Sequence, residues 1–267
     1  MKMQRANHVV RYQRGRITHE EDLIVTEHPV TLKVNGEELA TLVCSPEYIE
    51  DMAIGYLASE GMIKEYADIQ ELWVQEEEGF VHIRTERWNP LHQKMSAKRY
   101  ITSCCGMSRS GFVFFNDARN ARIMDGVNVK LTFEDCFRLM NDVLMHADLF
   151  RRTGGVHNAA LCDHQGILLA RCDIGRHNAL DKIYGHCLKH GLELKDKIIA
   201  FSGRISSEIL LKVAKIGCEV VLSKSAPTAL ALDLADQLGI TTVGFIRNDS
   251  CNVYTHPERI ADYEDTN

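Results

Sequence analysis

No apolar run in this 267-residue chain approaches the roughly 20 residues that a helix needs to cross a bilayer, so no membrane span is expected. No C-x-x-C pair occurs, and a structural zinc site built from close ligand pairs is therefore not expected. Neither G-x-G-x-x-G nor G-x-x-x-x-G-K-S/T appears, which argues against an ordinary Rossmann or P-loop mode of nucleotide binding. The zinc-deaminase signature of H-x-E with P-C-x-x-C is missing too, so a metal-activated water has no support and no metal ligands are assigned. The first 22 residues, MKMQRANHVVRYQRGRITHEED, are basic but have neither an apolar core nor a small-residue cleavage site. They do not read as a signal peptide, and the expected compartment is the cytosol, where thiols stay reduced. Positive charge is not in excess: 31 Lys and Arg against 37 Asp and Glu give a net charge of -6, so general nucleic-acid binding is not expected.

What the chain does have is cysteine, nine of them. Cys44, Cys136, Cys162, Cys187 and Cys218 lie among apolar neighbours and read as small buried hydrophobes. Cys172 and Cys251 border polar loops. Cys104 and Cys105 are different, because the stretch ITSCCGMSRS at 101–110 sets two thiols side by side among serines, a glycine and Arg109. A disulfide between direct neighbours is strained and makes an improbable structural bond. A thiolate is the reactive form, and a nearby cation such as Arg109 favours it. The segment at about 103–112 therefore reads as a polar loop that presents a nucleophilic cysteine.

Along the chain, PVTLKV at 29–34, Asn35-Gly36 and EELATLVC at 37–44 form a hairpin signal around a type I′ turn dipeptide. Ser45-Pro46-Glu47 reads as a helix start with Ser45 as N-cap, and Ile49, Met52, Ala53, Tyr56 and Leu57 give one buried stripe. Strand-like runs follow at 69–75 and 80–86. Thr132 with Asp135 predicts a capped helix running to about Phe150. Beyond it the rhythm changes. Strands at 158–162 and 167–172 are joined by a polar turn, then helices at 178–189, 206–216 and 228–238 alternate with strands at 197–202, 219–223 and 241–246. That alternation predicts a largely parallel sheet with one antiparallel hairpin. The expected fold class is α/β, or α+β taken overall. The predicted boundaries are an N-terminal α+β domain over 20–128, ending in the cysteine loop, and an α/β domain over 129–262.

In open α/β sheets, ligands collect beyond the carboxyl ends of the strands. Those ends carry Asp173-Ile174-Gly175-Arg176-His177-Asn178, then Ser202-Gly203-Arg204-Ile205-Ser206, then Ser223-Lys224-Ser225, then Phe245-Ile246-Arg247-Asn248-Asp249-Ser250. Each loop holds an Arg or Lys beside small residues or hydroxyls, and helix N-termini follow three of them. The candidate binding residues are Gly203, Arg204, Lys224, Ser225 and Phe245 to Ser250. His157, Arg176 and His177 join them through the first hairpin. An anionic ligand, phosphorylated, fits four cations converging on one rim of an acidic protein.

Six separated motifs carry a likeness to a known family: SCCGMSR at 103–109, GGVHNAAL at 154–161, DIGRHNALDK at 173–182, FSGRIS at 201–206, SKSAPTALA at 223–231 and NVYTHPERI at 252–260. In these, over about residues 18–262, the chain resembles the FdhD/NarQ family of formate dehydrogenase accessory sulfurtransferases. The resemblance implies a cytidine-deaminase-like mixed sheet core with a smaller N-terminal domain. It implies sulfur accepted as a persulfide on Cys105 from a cysteine desulfurase. That sulfur is then passed to molybdenum-bis(molybdopterin guanine dinucleotide), bound as cargo at 245–250 before its insertion into formate dehydrogenase. A homodimer is expected. Many members carry C-G-x-C here, whereas this chain has Ser108 in the place of the second thiol and an extra one at Cys104. Cys105 is therefore the assigned persulfide carrier and Cys104 at most an auxiliary thiol. Two alternatives stay open: a chaperone that holds the cofactor without moving sulfur, and a redox sensor using Cys104 and Cys105.

Overall fold

The computed structural model describes residues 1–86, 121–264 and the backbone of 99–101. The chain opens with a two-stranded ribbon, β1 (Gln4–Gln13) and β2 (Arg16–Val25), paired antiparallel over their full length. It turns at Arg14 and Gly15, both at positive φ. No element was expected there. Polar residues occupy both faces of the ribbon, so the period-two signal of a half-buried strand is weak.

β3 (His28–Val34) and β4 (Glu37–Cys44) are the expected hairpin. Asn35 at φ 51° and Gly36 at φ 87° give the two left-handed residues that a type I′ turn demands. α1 (Ile49–Ser59) follows, then β5 (Ile69–Gln75), β6 (Phe80–Thr85) and β7 (Arg99–Ile101). They form a five-stranded sheet in the order β5-β6-β3-β4-β7. The helix start was misread: Ser45 does not cap α1, which begins after Tyr48 in the left-handed region. Nor does α1 show a single buried stripe, because every residue from Ile49 to Ser59 except Glu50 is buried.

α2 (Phe133–Met145) is capped as expected: Asp135 N–H donates to Thr132 Oγ1 at 3.1 Å and Thr132 N–H to Asp135 Oδ2 at 3.0 Å. It ends at Met145 rather than Phe150, and a short α3 (Asp148–Thr153) takes the remainder. Then come β8 (His157–Cys162), β9 (Ile167–Asp173), α4 (Arg176–His190), β10 (Ile198–Phe201), α5 (Ser207–Ile216), β11 (Val220–Ser223), α6 (Ala229–Leu238), β12 (Thr241–Gly244) and β13 (Asn252–Thr255). Their sheet runs β13-β12-β11-β10-β8-β9. Only β10–β11 and β11–β12 pair in parallel, while β9–β8, β8–β10 and β12–β13 are antiparallel. The sheet is thus mixed rather than largely parallel. The β8–β9 hairpin joins β10 through an antiparallel pair, and β13, from the NVYTHPERI stretch, closes the far edge.

Helices cover both faces. α4, α5 and α6 bury Leu180, Ile183, Ile209, Leu210 and Leu234 against Leu161, Ile199 and Val221. On the other face α2 buries Leu139, Met140 and Val143 against Ala160, Ile198 and Leu222. Each fully buried Leu or Ile contributes about 1.5–3 kcal/mol of transfer free energy. A separate core under the five-stranded sheet packs Leu32, Leu42, Val81 and Ile83 on Met52, Ile54 and Leu57 of α1.

The two sheets meet where α1 crosses α4. A Cβ on Gly55 would stand 1.9 Å from Asp181 O, and one on Gly185 would stand 1.8 Å from Asp51 O. The helices therefore touch backbone to backbone. Asp173, wholly buried, pins the same joint: it pairs with Lys182 Nζ at 2.7 Å and accepts from Ser45 N–H at 2.9 Å, Gly175 N–H at 2.7 Å and Asn178 Nδ2 at 3.0 Å. Asn178 also donates to Val43 O at 2.9 Å, and Lys182 to Ser45 O at 3.1 Å. Half of the DIGRHNALDK motif, expected at a ligand, instead ties one sheet to the other. The NVYTHPERI motif is structural in part as well, since buried Arg259 pairs with Glu219 at 3.1 Å and donates to Gly126 O at 2.6 Å.

Candidate functional site

β9, β10, β11 and β12 point the same way, because β8 runs antiparallel to both β9 and β10 while β10, β11 and β12 are mutually parallel. Their carboxyl ends share one edge, and β8 starts there, with His157 opposite Asp173. Arg176, Arg204, Lys224 and Arg247 accordingly follow the carboxyl ends of β9, β10, β11 and β12, with β8 lying between the first two, in a chain of net charge -6. Arg204, Lys224 and Arg247 are exposed, and among the described residues neither Arg204 nor Lys224 has a side-chain partner. Arg247 Nη1 donates to Lys224 O at 2.6 Å and Ile246 O at 2.9 Å, which fixes its guanidinium over the neighbouring loop.

Serine hydroxyls stitch these loops together. Asn158 N–H donates to Ser202 Oγ at 2.9 Å, Ser225 Oγ to Ser202 O at 3.1 Å, and Ser223 Oγ to Gly203 O at 2.8 Å. Phe245 N–H reaches Ser225 O at 3.2 Å, while Arg247 N–H donates to Ser250 O at 2.8 Å across Asn248 and Asp249. The sequence put small polar residues here, and the structure uses their hydroxyls to hold backbones in place. Phe245 sits at φ 52°, a region that bulky residues avoid, and the residue is 43% exposed. Gly203 has no room for a side chain, since a Cβ would lie 2.8 Å from the Phe201 ring and 3.3 Å from His157 Nδ1.

His157 is half-buried, its ring 6.4 Å from that of Phe201. Burial, then the positive charge of Arg176, pushes its pKa below the ordinary 6.5, so the ring is neutral at pH 7. His177 Nε2 lies 3.2 Å from Glu208 Oε2. Arg176 Nε is buried without a hydrogen-bond partner, a donor left over at the rim.

Two cavities open along the edge, of about 400 Å³ and 390 Å³. The first lies between Lys224, Arg247 and Asn248 on the rim and Glu134, Phe137 and Asn141 on α2. The second is bounded by Gly154, Gly155, His157, Asn158 and Ser202. Lys224 and Leu144 line both, so the two are compartments of one groove. Ile246 lines the first cavity, whereas Gly203, Arg204, Arg176, His177, Ser225, Phe245, Asp249 and Ser250 line neither. The wall from α2 was missed in the sequence. Its signal was a mixed stripe of Glu134, Phe137, Arg138, Asn141 and Leu144, whose polar members read as an ordinary solvated helix face. Arg138 adds little free charge, because it is bound to Asp135 Oδ1 at 2.8 Å and His164 O at 2.9 Å.

The sequence profile of the FdhD/NarQ family matches residues 25–261. The chain belongs to the FdhD/NarQ family. A protein of Shouchella clausii named "Sulfur carrier protein FdhD" is 57% identical over 97% of both chains. One of the same name from Bacillus subtilis is 53% identical over 94% of this chain and 95% of its own. The fold is similar to the crystal structure of a Desulfotalea psychrophila protein described as a formate dehydrogenase accessory protein. The TM-score is 0.79 at 23% identity, covering 97% of this chain and all of that one. The FdhD/NarQ motif SCCGMSR, with Cys104, Cys105, Ser108 and Arg109, and the expected cysteine loop at 103–112 lie outside the described residues. The other seven cysteines are free thiols. Burial pushes Cys44, Cys136, Cys162 and Cys187 up to about 12 and raises Cys218, Cys172 and Cys251 as well. None of these seven is a ready thiolate at neutral pH. Among the described residues, no group of three His, Cys, Asp or Glu could hold a metal ion, and no helix is long and apolar enough to cross a membrane.

Proposed function

We propose that this protein is a cytoplasmic sulfur carrier for formate dehydrogenase maturation, acting as a sulfurtransferase through a persulfide on Cys105. Its sulfur comes from a cysteine desulfurase. The Cys105 thiolate attacks the outer sulfur of the donor's persulfide, the donor's S–S bond breaks, and the donor cysteine leaves as thiolate. The carrier then delivers that sulfur to molybdenum-bis(molybdopterin guanine dinucleotide), which is its cargo, before formate dehydrogenase receives the cofactor. Near full-length likeness to proteins named as sulfur carriers supports the first half of this reading.

The observation that carries the second half is the groove whose compartments share Lys224. Pyrophosphates of the guanine dinucleotide limbs are anions, and Lys224 and Arg247, which line the groove, supply complementary charge, Arg247 by bidentate contact, while Arg204 and Arg176 add positive charge along the same rim. Neutral His157 lines the second compartment without adding a full charge at pH 7, and His177 belongs to the proposed site as part of the rim outside both compartments. Phe245 to Ser250 present a fixed backbone at the first. A homodimer is part of the same proposal.

The test is restoration of formate dehydrogenase activity in cells that lack the endogenous carrier. Cys105→Ala is expected to give none, while Cys104→Ala is milder. Full activity from Cys105→Ala with loss in Cys104→Ala would reverse the two assignments, and full activity from the double variant would favour a chaperone that moves no sulfur.

A further inference from the structure

The N-terminal ribbon is anchored at its base. Val25 packs beside Val43, Val156 and Ile174, and Thr26 N–H donates to Met3 O at 2.9 Å. No residue of β1 or β2 is buried. A two-stranded hairpin alone is marginally stable in water, so a ribbon this exposed calls for a further contact. Its tip shows of what kind. Tyr12 pairs with Ile17 and Val10 with His19, which puts three apolar side chains on one face. Val10 is 64% exposed, Tyr12 72% and Ile17 67%. Around them stand Arg11, Arg14 and Arg16, with no Asp or Glu from Val9 to Thr18. Residues 1–25 hold five Lys and Arg against three Asp and Glu, so in a chain of net charge -6 the remainder stands at -8.

A surface of the opposite kind lies on the first sheet. The turn between β5 and β6 exposes Glu76, Glu77 and Glu78 in a row. Among the described residues, none of these three has a partner, and neither do Arg14 and Arg16, whereas Arg11 pairs with Glu20 of its own ribbon at 2.9 Å. Trp73, three residues before that turn, is 49% exposed and stacks on His82 with ring centroids 4.7 Å apart. β5 is an edge strand, which leaves this surface open on one side. A row of like charges repels itself and an exposed indole leaves apolar area in water, and a cationic tip with Tyr, Val and Ile relieves both. Arg and aromatic residues are also what interface cores enrich. Resting on the proposed homodimer, we infer that the ribbon tip of each chain docks on the β5–β6 turn and Trp73 of a second copy. Ten-residue strands span about 33 Å, long enough to reach a neighbouring body. The two contacts are equivalent, so a two-fold axis closes the assembly, and the cationic arms offset the repulsion between two acidic chains.

The experiment is sedimentation equilibrium of the full chain over a range of protein and salt concentrations. Wild type is expected to form dimers that weaken as salt rises. Arg14→Glu/Arg16→Glu and Glu77→Lys/Glu78→Lys are each expected to raise the dimer dissociation constant about tenfold to a hundredfold, with the far-ultraviolet circular dichroism unchanged. Mixed one to one, the two variants are expected to restore dimers, because each altered tip then meets a turn of opposite charge. Tyr12→Ser, which changes no charge, is expected to weaken the wild-type dimer as well. Dimers untouched by either charge reversal overturn this inference and leave the homodimer standing. Loss of dimers in the arginine variant alone, or a mixture that stays monomeric, also overturns it, because the tip then meets another surface. A wild type that is monomeric throughout overturns both the inference and the homodimer, and its sedimentation with phosphatidylserine vesicles through Arg14 and Arg16 would assign the tip to a membrane surface instead.

Discussion

Lys224 reaches both compartments of the groove from one backbone position, and its ammonium has no partner among the described residues. Arg247 is held by two carbonyls through Nη1, which leaves the rest of its fork for a ligand. Lys224→Ala and Arg247→Ala should each weaken GDP binding without unfolding the chain. A lost charge-assisted hydrogen bond costs roughly 1.5–3 kcal/mol, or about one to two decades in affinity. Calorimetric titration checks this, and unchanged affinity in both variants moves the site off the rim. His157 gives a pH dependence. Its folded pKa is depressed by burial and by Arg176, so the unfolded chain takes up a proton first as pH falls through 6.5. The stability it contributes is present above 6.5 and is lost on acidification toward the folded value. Urea unfolding at about pH 7.5 and 5.5 should therefore show wild type losing more stability on acidification than His157→Gln, because the variant lacks that titration. Equal losses in the two proteins would mean that the ring is not held neutral.

Elements differ in how far their own residues declare them. The rim was legible, because strand and helix alternate from 157 to 246 and the direction of a strand fixes which loops share an edge. The hairpin at 28–44 was legible from Asn35-Gly36. The parallel character of the second sheet was overread, since β8 and β9 enter it as a hairpin and only long-range pairing fixes their direction relative to β10. Ser45 looked like a helix cap because its real partners, Asp173 and Ile174, lie far along the chain. The backbone contact of α1 with α4 was hidden for the same reason. A glycine inside a helix signals weakness until the second helix is known. Gly185→Ala would improve local helix propensity by about 1 kcal/mol yet force a Cβ to 1.8 Å from Asp51 O. The clash should win, with a net loss of about 1–3 kcal/mol or more and a lowered urea midpoint. A raised midpoint would show that the two helices part at little cost. The α2 wall stayed hidden too, because Glu134 and Asn141 acquire meaning only when the loop at 245–250 stands opposite them.

At the scale of the whole molecule, two sheets share one joint, and the groove belongs to the second of them. β7 pairs with β4 in the first sheet, and the thiol motif at 103–109 follows it directly in sequence. The order of the chain thus runs from the small sheet through the thiols to the sheet that bears the groove. Sulfur carriage is the claim on which the rest depends, and it has a direct readout. The reduced full chain is incubated with a cysteine desulfurase and cysteine, and its intact mass is measured before and after reduction. The account predicts a gain of one sulfur atom on wild type and on Cys104→Ala, removed by reductant, and no gain on Cys105→Ala. An unchanged mass on wild type, with the desulfurase active toward other acceptors, would contradict it.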